Sequence, residues 1–339
     1  MSNIADLARD QPLSAEQTEK LFDRIFGGEL SPEELRAYLE ATAERRPTVP
    51  ELVGAARSMR AHMRSVEAPA DAIDLCGTGG DGHGTLNIST AVSFVVAAAG
   101  VPVARHGNRA ATSKSGAADI LEALGVKIGL EPDVASNVLA KTGIVFLFAP
   151  SHHPAMKHVG PIRSQIKRRT IFNLLGPLAS PAKVKRQLTG VFAPEWLSPY
   201  AEALQVLGST RALVVHGRDG MDEVTTTDVT DAASLKNGTI SRLELAPEQA
   251  GLSRSPLAAL KGGSAAEKAL RLTALLEGEA GAYRDIVLLN TAAALMVADR
   301  AGDIMTGMDL AVRALSSGAA LAKLRELIKV SNANHDHPG

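Results

Sequence analysis

Apolar positions recur three and four apart through the first 65 residues, at Leu21, Ile25, Leu35, Leu39, Leu52 and Ala56, the spacing of a buried helix face. Start signals precede each run. Ser14-Ala15-Glu16-Gln17 and Ser31-Pro32-Glu33-Glu34 fit the capping box, with Pro32 at the favoured first helical position. Thr48-Val49-Pro50-Glu51 opens a third helix by the same logic, and Gly27-Gly28 separates the first two. No strand pattern precedes residue 72, and Val66-Glu67-Ala68-Pro69-Ala70 reads as the exit from a helical unit.

Beyond residue 72 the period changes. Short apolar runs at 73–76, 101–105, 144–148 and 211–215 alternate with helical stretches at 91–100 and 117–124. Continuous apolar strands alternating with helices predict a mostly parallel sheet covered on both faces, an α/β fold. Asn237-Gly238 between Leu235 and Ile240 marks a tight turn between strands. Helical patterning returns from about 264 to 328, and residues 331–339 are expected to fray.

Composition narrows the partners. The chain has 339 residues, a prior of about two domains, and 45% are hydrophobic, which excludes a mostly disordered chain. Lys plus Arg is 36 against Asp plus Glu at 37, a net charge of −1, so bulk charge does not mark a polyanion binder and nucleic acid is not the expected partner. Aromatics are 3%, too few for a stacking platform on single strands. A single cysteine, Cys76, excludes an intrachain disulfide and a four-cysteine zinc site. No apolar run reaches 18 residues, so no membrane span is expected. The stretch MSNIADLARDQ lacks a basic region followed by an apolar one, so a cytoplasmic location is expected.

Four segments carry chemistry, each following a predicted strand, where open α/β sheets bind ligands. Residues 77–90, GTGGDGHGTLNIST, combine a glycine-rich turn with a helix start, an arrangement that cradles anions. Asn87, Ser89 and Thr90 are placed to cap that helix or to donate to phosphate. The dinucleotide fingerprint also matches residues 77–82, but the turn runs on to Asn87 and the next strand ends in Arg105 rather than an acid. Arg105-His106-Gly107-Asn108-Arg109 followed by Ser113-Lys114-Ser115-Gly116 gathers cations and small donors suited to a ligand with several anionic groups. Taken alone, it also admits a solvated basic loop, the less favoured reading. The run 149–157 holds His152 and His153, with Arg163 beyond. Adjacent histidines without a third ligand at metal spacing favour a pocket lining over zinc, and Arg163 suits a carboxylate clamp as well as a surface helix. Asp222-Glu223, in 216–223, suits Mg²⁺ or an ordinary acidic turn.

In this order the stretches 77–90, 105–125, 146–163, 168–181 and 214–223 resemble the anthranilate phosphoribosyltransferase family, and the likeness covers nearly the whole chain. The resemblance implies a homodimer. Its subunit would have a small helical domain at 1–68, joined by inserted helices near 160–185, and a larger α/β domain at 72–330. The activity implied transfers a phosphoribosyl group from 5-phosphoribosyl 1-diphosphate to anthranilate in tryptophan biosynthesis, with Mg²⁺. By motif, Gly77, Gly80, Asp81, Thr85, Asn87, Ile88, Ser89, Thr90, Arg105, His106, Gly107, Asn108, Arg109, Ser113 and Ala117 would hold the donor. Gly77, Asn108, His152 and Arg163 would contact anthranilate. Ser89, Asp222 and Glu223 would bind Mg²⁺. No catalytic residue is assigned beyond positioning and leaving-group stabilisation, with His106 as a weak candidate. The family usually carries lysine at Arg105, so a point donor becomes a planar fork; it often has serine at Ala117, where one hydroxyl is lost, and at Thr112, where the hydroxyl is kept. The alternatives are a pyrimidine nucleoside phosphorylase on the same architecture, or a non-catalytic nucleic-acid-binding relative using Lys167-Arg168-Arg169 and Lys183, Lys185 and Arg186.

Overall fold

The computed structural model describes residues 11–109 and 115–333. It opens on three helices, α1 (Ala15–Phe26), α2 (Pro32–Glu44) and α3 (Val49–Ala61). Reciprocal capping boxes close at Ser14 with Gln17 and at Ser31 with Glu34, satisfying N–H groups that a first turn leaves unbonded. At the third start the Glu51 carboxylate accepts from both the N–H and the hydroxyl of Thr48. The α1–α3 crossing is close because residue 54 is glycine: a Cβ there would stand 2.2 Å from the Ala15 carbonyl oxygen.

The chain then alternates between strand and helix. It runs through β1 (Ile73–Asp74), α4 (Ile88–Ala98), β2 (Val103–Gly107), α5 (Ala117–Ala123), α6 (Pro132–Thr142) and β3 (Ile144–Phe148). Three short helices follow, α7 (Ala149–His152), α8 (Gly160–Arg163) and α9 (Phe172–Leu175). Next come β4 (Arg186–Gly190), α10 (Leu197–Val206), β5 (Arg211–Gly217), β6 (Thr230–Lys236) and β7 (Thr239–Leu245). The last helices are α11 (Ala265–Leu276), α12 (Ala282–Val297), α13 (Ile304–Ser316) and α14 (Ala319–Ala333). Among the described residues the sheet order is β3-β2-β1-β4-β5-β6-β7. The first five of these run parallel and the β6–β7 hairpin is antiparallel. Asn237 (φ 53°) and Gly238 (φ 74°) make the two-residue turn, both in the left-handed region that such a hairpin requires. The strand order reverses between β1 and β4, and the ends of these two strands therefore open a crevice.

One face of the sheet packs against α4, α5, α6 and the C-terminal helices through residues such as Phe94, Ile120, Val138 and Leu288. The other face packs on α10 through Trp196, Leu197 and Tyr200. That core continues without a break into Phe22, Tyr38, Leu52 and Phe172, so α1–α3 and the segment from Val159 to Ala179 share it. Arg60 of α3 ties this unit down, donating to the carbonyls of Leu178 (2.7 Å) and Leu207 (2.9 Å).

Two features differ from the sequence reading. β4 carries too many polar residues to read as a buried strand, yet Gln187 is buried, its amide donating to the Pro177 carbonyl at 2.7 Å. Residues 331–333, expected to fray, are instead the last turn of α14. Ser331 is buried there and accepts from the Lys127 N–H at 3.1 Å, and Asn332 donates to the Gly125 carbonyl at 2.9 Å. No described helix is long and apolar enough to cross a membrane.

The buried Glu51 carboxylate closes the helical unit, taking Arg45 and the N–H groups of Thr48 and Leu13. Burial alone would raise its pKa, but the Arg45 bond and these N–H donors bring it below the ordinary value. The stability it contributes is therefore present above its unfolded value and lost as pH falls through its lower folded one. Glu51→Ala removes the carboxylate that binds Arg45 and should cost about 3–5 kcal/mol in urea unfolding at pH 7. The difference from the parent should narrow below about pH 4.

Candidate active site

The crevice is floored by the loop between β1 and α4. Gly79, Gly80, Gly82 and Gly84 all take positive φ, between 62° and 83°, a path open to glycine and strained for other residues. Space beside Gly79, Gly82 and Gly84 is open, so that stretch of backbone is accessible to a ligand. Both ends of the loop are pinned. Thr78 donates its N–H to the Gly190 carbonyl (2.8 Å), and its hydroxyl accepts from the Phe192 N–H (3.1 Å). Farther along, Thr85 bridges Lys261, the Leu86 N–H reaches Leu260 (2.8 Å), and the Gly262 N–H reaches Gly84 (3.0 Å). Arg169 lies 4.0 Å over the Phe192 ring and donates to the Gly80 carbonyl.

The start of α4 is arranged differently from the expectation that Asn87, Ser89 and Thr90 cap it or face phosphate. Asn87 makes no side-chain cap bond; its Oδ1 accepts from Lys268 at 3.2 Å. The Ile88 N–H is engaged by the Leu86 carbonyl (2.9 Å) and its side chain is buried, so Ile88 is occupied within the fold rather than offered to a ligand. The Ser89 hydroxyl accepts from Arg105 at 2.8 Å. Thr90 is buried on the inner side of the helix, in a small cavity with Phe94, Phe146 and Leu327.

Asp222 and Glu223 arrive from the turn after β5. A Cβ on Gly190 would lie 1.6 Å from the Asp222 carbonyl oxygen, and one on Gly77 would lie 3.0 Å from its Oδ2. The two glycines therefore allow the acidic turn to press against the ends of β1 and β4. Asp222 Oδ2 accepts from the Gly79 N–H at 2.9 Å, and the Ser89 N–H faces Glu223. Burial first, then the charge of Asp81, pushes Asp222 up to about 7. Burial and the charge of Asp222 hold Glu223 well above the carboxylate range. With Ser89 they line one small cavity. Crowded, buried carboxylates beside a hydroxyl are hard oxygen donors in need of positive charge, and they fit Mg²⁺. Among the described residues no three His, Cys, Asp or Glu side chains converge into a complete ligand cage.

The basic loop divides. The Arg105 guanidinium is buried beneath the glycine loop, bonded to Ser89 and 5.9 Å from the Phe146 ring centroid, rather than presented in the open crevice. Arg109 is drawn away from a phosphate-facing position: Asp119 (2.9 Å) and Glu122 hold it, over the Phe148 ring. Asn108 is exposed, its Oδ1 accepting from the Arg109 N–H at 2.7 Å. Gly107 is confined, since a Cβ would meet Phe146 at 2.7 Å. Ala117 opens α5 and is buried. Ser113 lies outside the described residues.

His152 does not take the pocket position expected of it. It is buried against the exit of the helical unit, its Nδ1 3.2 Å from the Arg64 carbonyl. Consecutive side chains diverge, and His153 instead stands 5.1 Å from the His106 ring. His106 Nδ1 lies 3.2 Å from the Gly176 carbonyl, an acceptor only, so that nitrogen bears the proton. Burial, then His153, holds the His106 pKa well below its usual value, and burial brings His153 to about 4. A base that weak is a poor proton acceptor at neutral pH. Arg163, at the end of α8, is half-buried, and burial lowers its pKa; its side chain has no ion-pair partner among the described residues.

The sequence reading missed the 260–262 pairing, Tyr283 and Lys268, and it placed Arg169 only in a basic cluster of the nucleic-acid-binding alternative, whereas the structure sets it on the glycine loop. Tyr283 donates its hydroxyl to the Asn87 carbonyl at 3.1 Å. Gly262-Gly263 ahead of a capping box was the available signal for that region.

Two family models cover the chain: the glycosyl transferase family helical bundle domain over residues 2–63 and the glycosyl transferase family a/b domain over 69–321. An anthranilate phosphoribosyltransferase of Rhodopseudomonas palustris (strain HaA2) is 53% identical over 330 residues, covering 97% of this chain and 98% of the relative. The crystal structure of anthranilate phosphoribosyltransferase from Thermus thermophilus superposes with a TM-score of 0.91 at 40% identity, over 97% of this chain and 99% of that one. The Saccharomyces cerevisiae enzyme in complex with PRPP (5-phosphoribosyl 1-diphosphate) and Mg has a TM-score of 0.86 at 26% identity, over 95% of this chain and 94% of that one.

The contact at Gly190 yields a direct test. Gly190→Ala must displace the Asp222 backbone, and overpacking of this kind costs about 1–3 kcal/mol. Urea unfolding should show that loss, and the Mg²⁺ concentration needed for half-maximal activity should rise in parallel.

Proposed function

The chain belongs to the anthranilate phosphoribosyltransferase family, and we propose from that premise how its residues divide the work. The reaction moves the 5-phosphoribosyl group from 5-phosphoribosyl 1-diphosphate to the anthranilate amine and releases pyrophosphate, a step of tryptophan biosynthesis. The observation that carries the assignment of roles is the crevice at the strand-order reversal, where an open glycine backbone faces a buried, charge-strained acidic pair.

Cleavage at an anomeric carbon passes through an oxocarbenium-like state, with negative charge growing on the leaving oxygen. The backbone from Gly79 to Gly84 holds the diphosphate, with Asp81 and Thr85 in the same loop. Asp222, Glu223 and Ser89, which line one cavity, would hold Mg²⁺. Bound there, Mg²⁺ supplies positive charge against the departing pyrophosphate. Arg105 acts from below, fixing the Ser89 hydroxyl through its 2.8 Å bond. Anthranilate brings its own lone pair, so the protein needs to orient the amine rather than deprotonate it, in keeping with the neutral, weakly basic His106. Arg163 clamps the anthranilate carboxylate, with Asn108 and Gly77 toward the donor side; its half-buried guanidinium, without an ion-pair partner among the described residues, supports this role. Arg109 and His152, each engaged elsewhere, are left out of this scheme.

Mixing the protein with anthranilate, 5-phosphoribosyl 1-diphosphate and Mg²⁺ should give loss of anthranilate fluorescence that needs both donor and metal and stops with EDTA. A flat trace from folded protein would remove the reading. Arg163→Ala should raise the anthranilate KM about 10- to 100-fold, the worth of a charge-assisted bond, and spare the donor KM. An unchanged anthranilate KM would take Arg163 out of the site.

A further inference from the structure

Lys268 stands on the first turn of α11, is 4% exposed, and has no carboxylate within ion-pair distance among the described residues. A buried ammonium is costly unless its charge is matched. Among the described residues its Nζ reaches two neutral acceptors, Asn87 Oδ1 at 3.2 Å and the Ser115 carbonyl at 3.4 Å. Both bonds are long for a charged donor, and an ammonium carries a third proton.

The place of this charge is specific. Asn87 ends the glycine loop, and Ser115 directly precedes α5, at the end of the basic loop. The ammonium thus sits where the two candidate phosphate loops meet. The fold makes room for it: a Cβ on Gly262 would lie 2.2 Å from Lys268 Cε and 2.6 Å from the Thr85 carbonyl oxygen. The same segment pairs with Gly84–Leu86, so the strand that clamps the glycine loop is also the roof over the lysine stem. Burial lowers the Lys268 pKa, and Asp81 is the carboxylate that opposes this. A positive charge with no carboxylate partner among the described residues, held between two candidate phosphate loops, is matched when an anion arrives.

We propose that Lys268 is a phosphate-binding cation of the donor site, its ammonium contacting a phosphate oxygen of the phosphoribosyl diphosphate between the Asn87 and Ser115 loops. This deepens the reading of the site given above and rests on it for the identity of the donor. The contacting group is either the diphosphate or the 5-phosphate, which share their chemistry.

Two variants and two probes test it. Lys268→Met removes the charge and keeps the stem; Lys268→Gln also removes the charge but keeps a donor for Asn87 and Ser115. Both should raise the donor KM about 10- to 100-fold while the anthranilate KM stays within about twofold. Calorimetric titration with pyrophosphate and Mg²⁺, and separately with ribose 5-phosphate, should show the same loss for one probe and not the other, identifying the phosphate contacted. A parental donor KM in Lys268→Gln would reduce Lys268 to a hydrogen-bonded brace and overturn the proposal, even if Lys268→Met failed to fold. Unchanged titrations of both probes would overturn it equally. If the parent protein turned over no anthranilate, the titrations would still decide whether Lys268 binds phosphate, separating this failure from that of the enzyme assignment.

Discussion

Closest packing of backbone on backbone at Gly190 and Gly77 sets the geometry of everything above the sheet. β1 and β4 end side by side where the strand order reverses, and only hydrogen at these two positions lets the turn after β5 press between them. That approach carries Asp222 to the Gly79 N–H and Glu223 to the Ser89 N–H. The acidic pair is thereby buried against like charge, a state that favours binding a cation over remaining bare. The glycine loop and the helix start behind it are thereby both tied to the acidic turn.

Support for that contact comes from distant parts of the chain. The Leu260–Gly262 stretch clamps the far end of the glycine loop, Tyr283 of α12 holds the Asn87 carbonyl, and Arg169, exposed between α8 and α9, reaches the Gly80 carbonyl. Positioning over this range is what a reaction dominated by orientation and leaving-group stabilisation demands.

Much of this was legible in the sequence, for reasons specific to each element. The apolar run Ile144–Phe148, the Asn237-Gly238 turn and the serine caps of α1 and α2 speak through local chemistry, and each stands where its pattern places it. β4 did not, because Gln187 hides its polarity through a bond to Pro177 that no local pattern reveals. The loops were recognisable as anion-binding, but the direction of each side chain was not. Arg109 turns to Asp119 and Glu122, and His152 turns to Arg64, partners set by packing. Lys268 lies 181 positions from Asn87, and a lone lysine in a helical pattern looks like any solvated one until the fold buries it.

The two outer strands of the sheet finish it in opposite ways. β3 is buried along its length except at Phe148, with α6 and α7 flanking it in the chain. β7 is open, and its exposed positions are Thr239, Ser241, Arg242 and Glu244. An uncovered strand edge is a template for uncontrolled pairing with another chain, and charged, polar side chains blunt it. The polar and charged side chains along β7 therefore guard the exposed margin of the sheet against joining the sheet of another molecule.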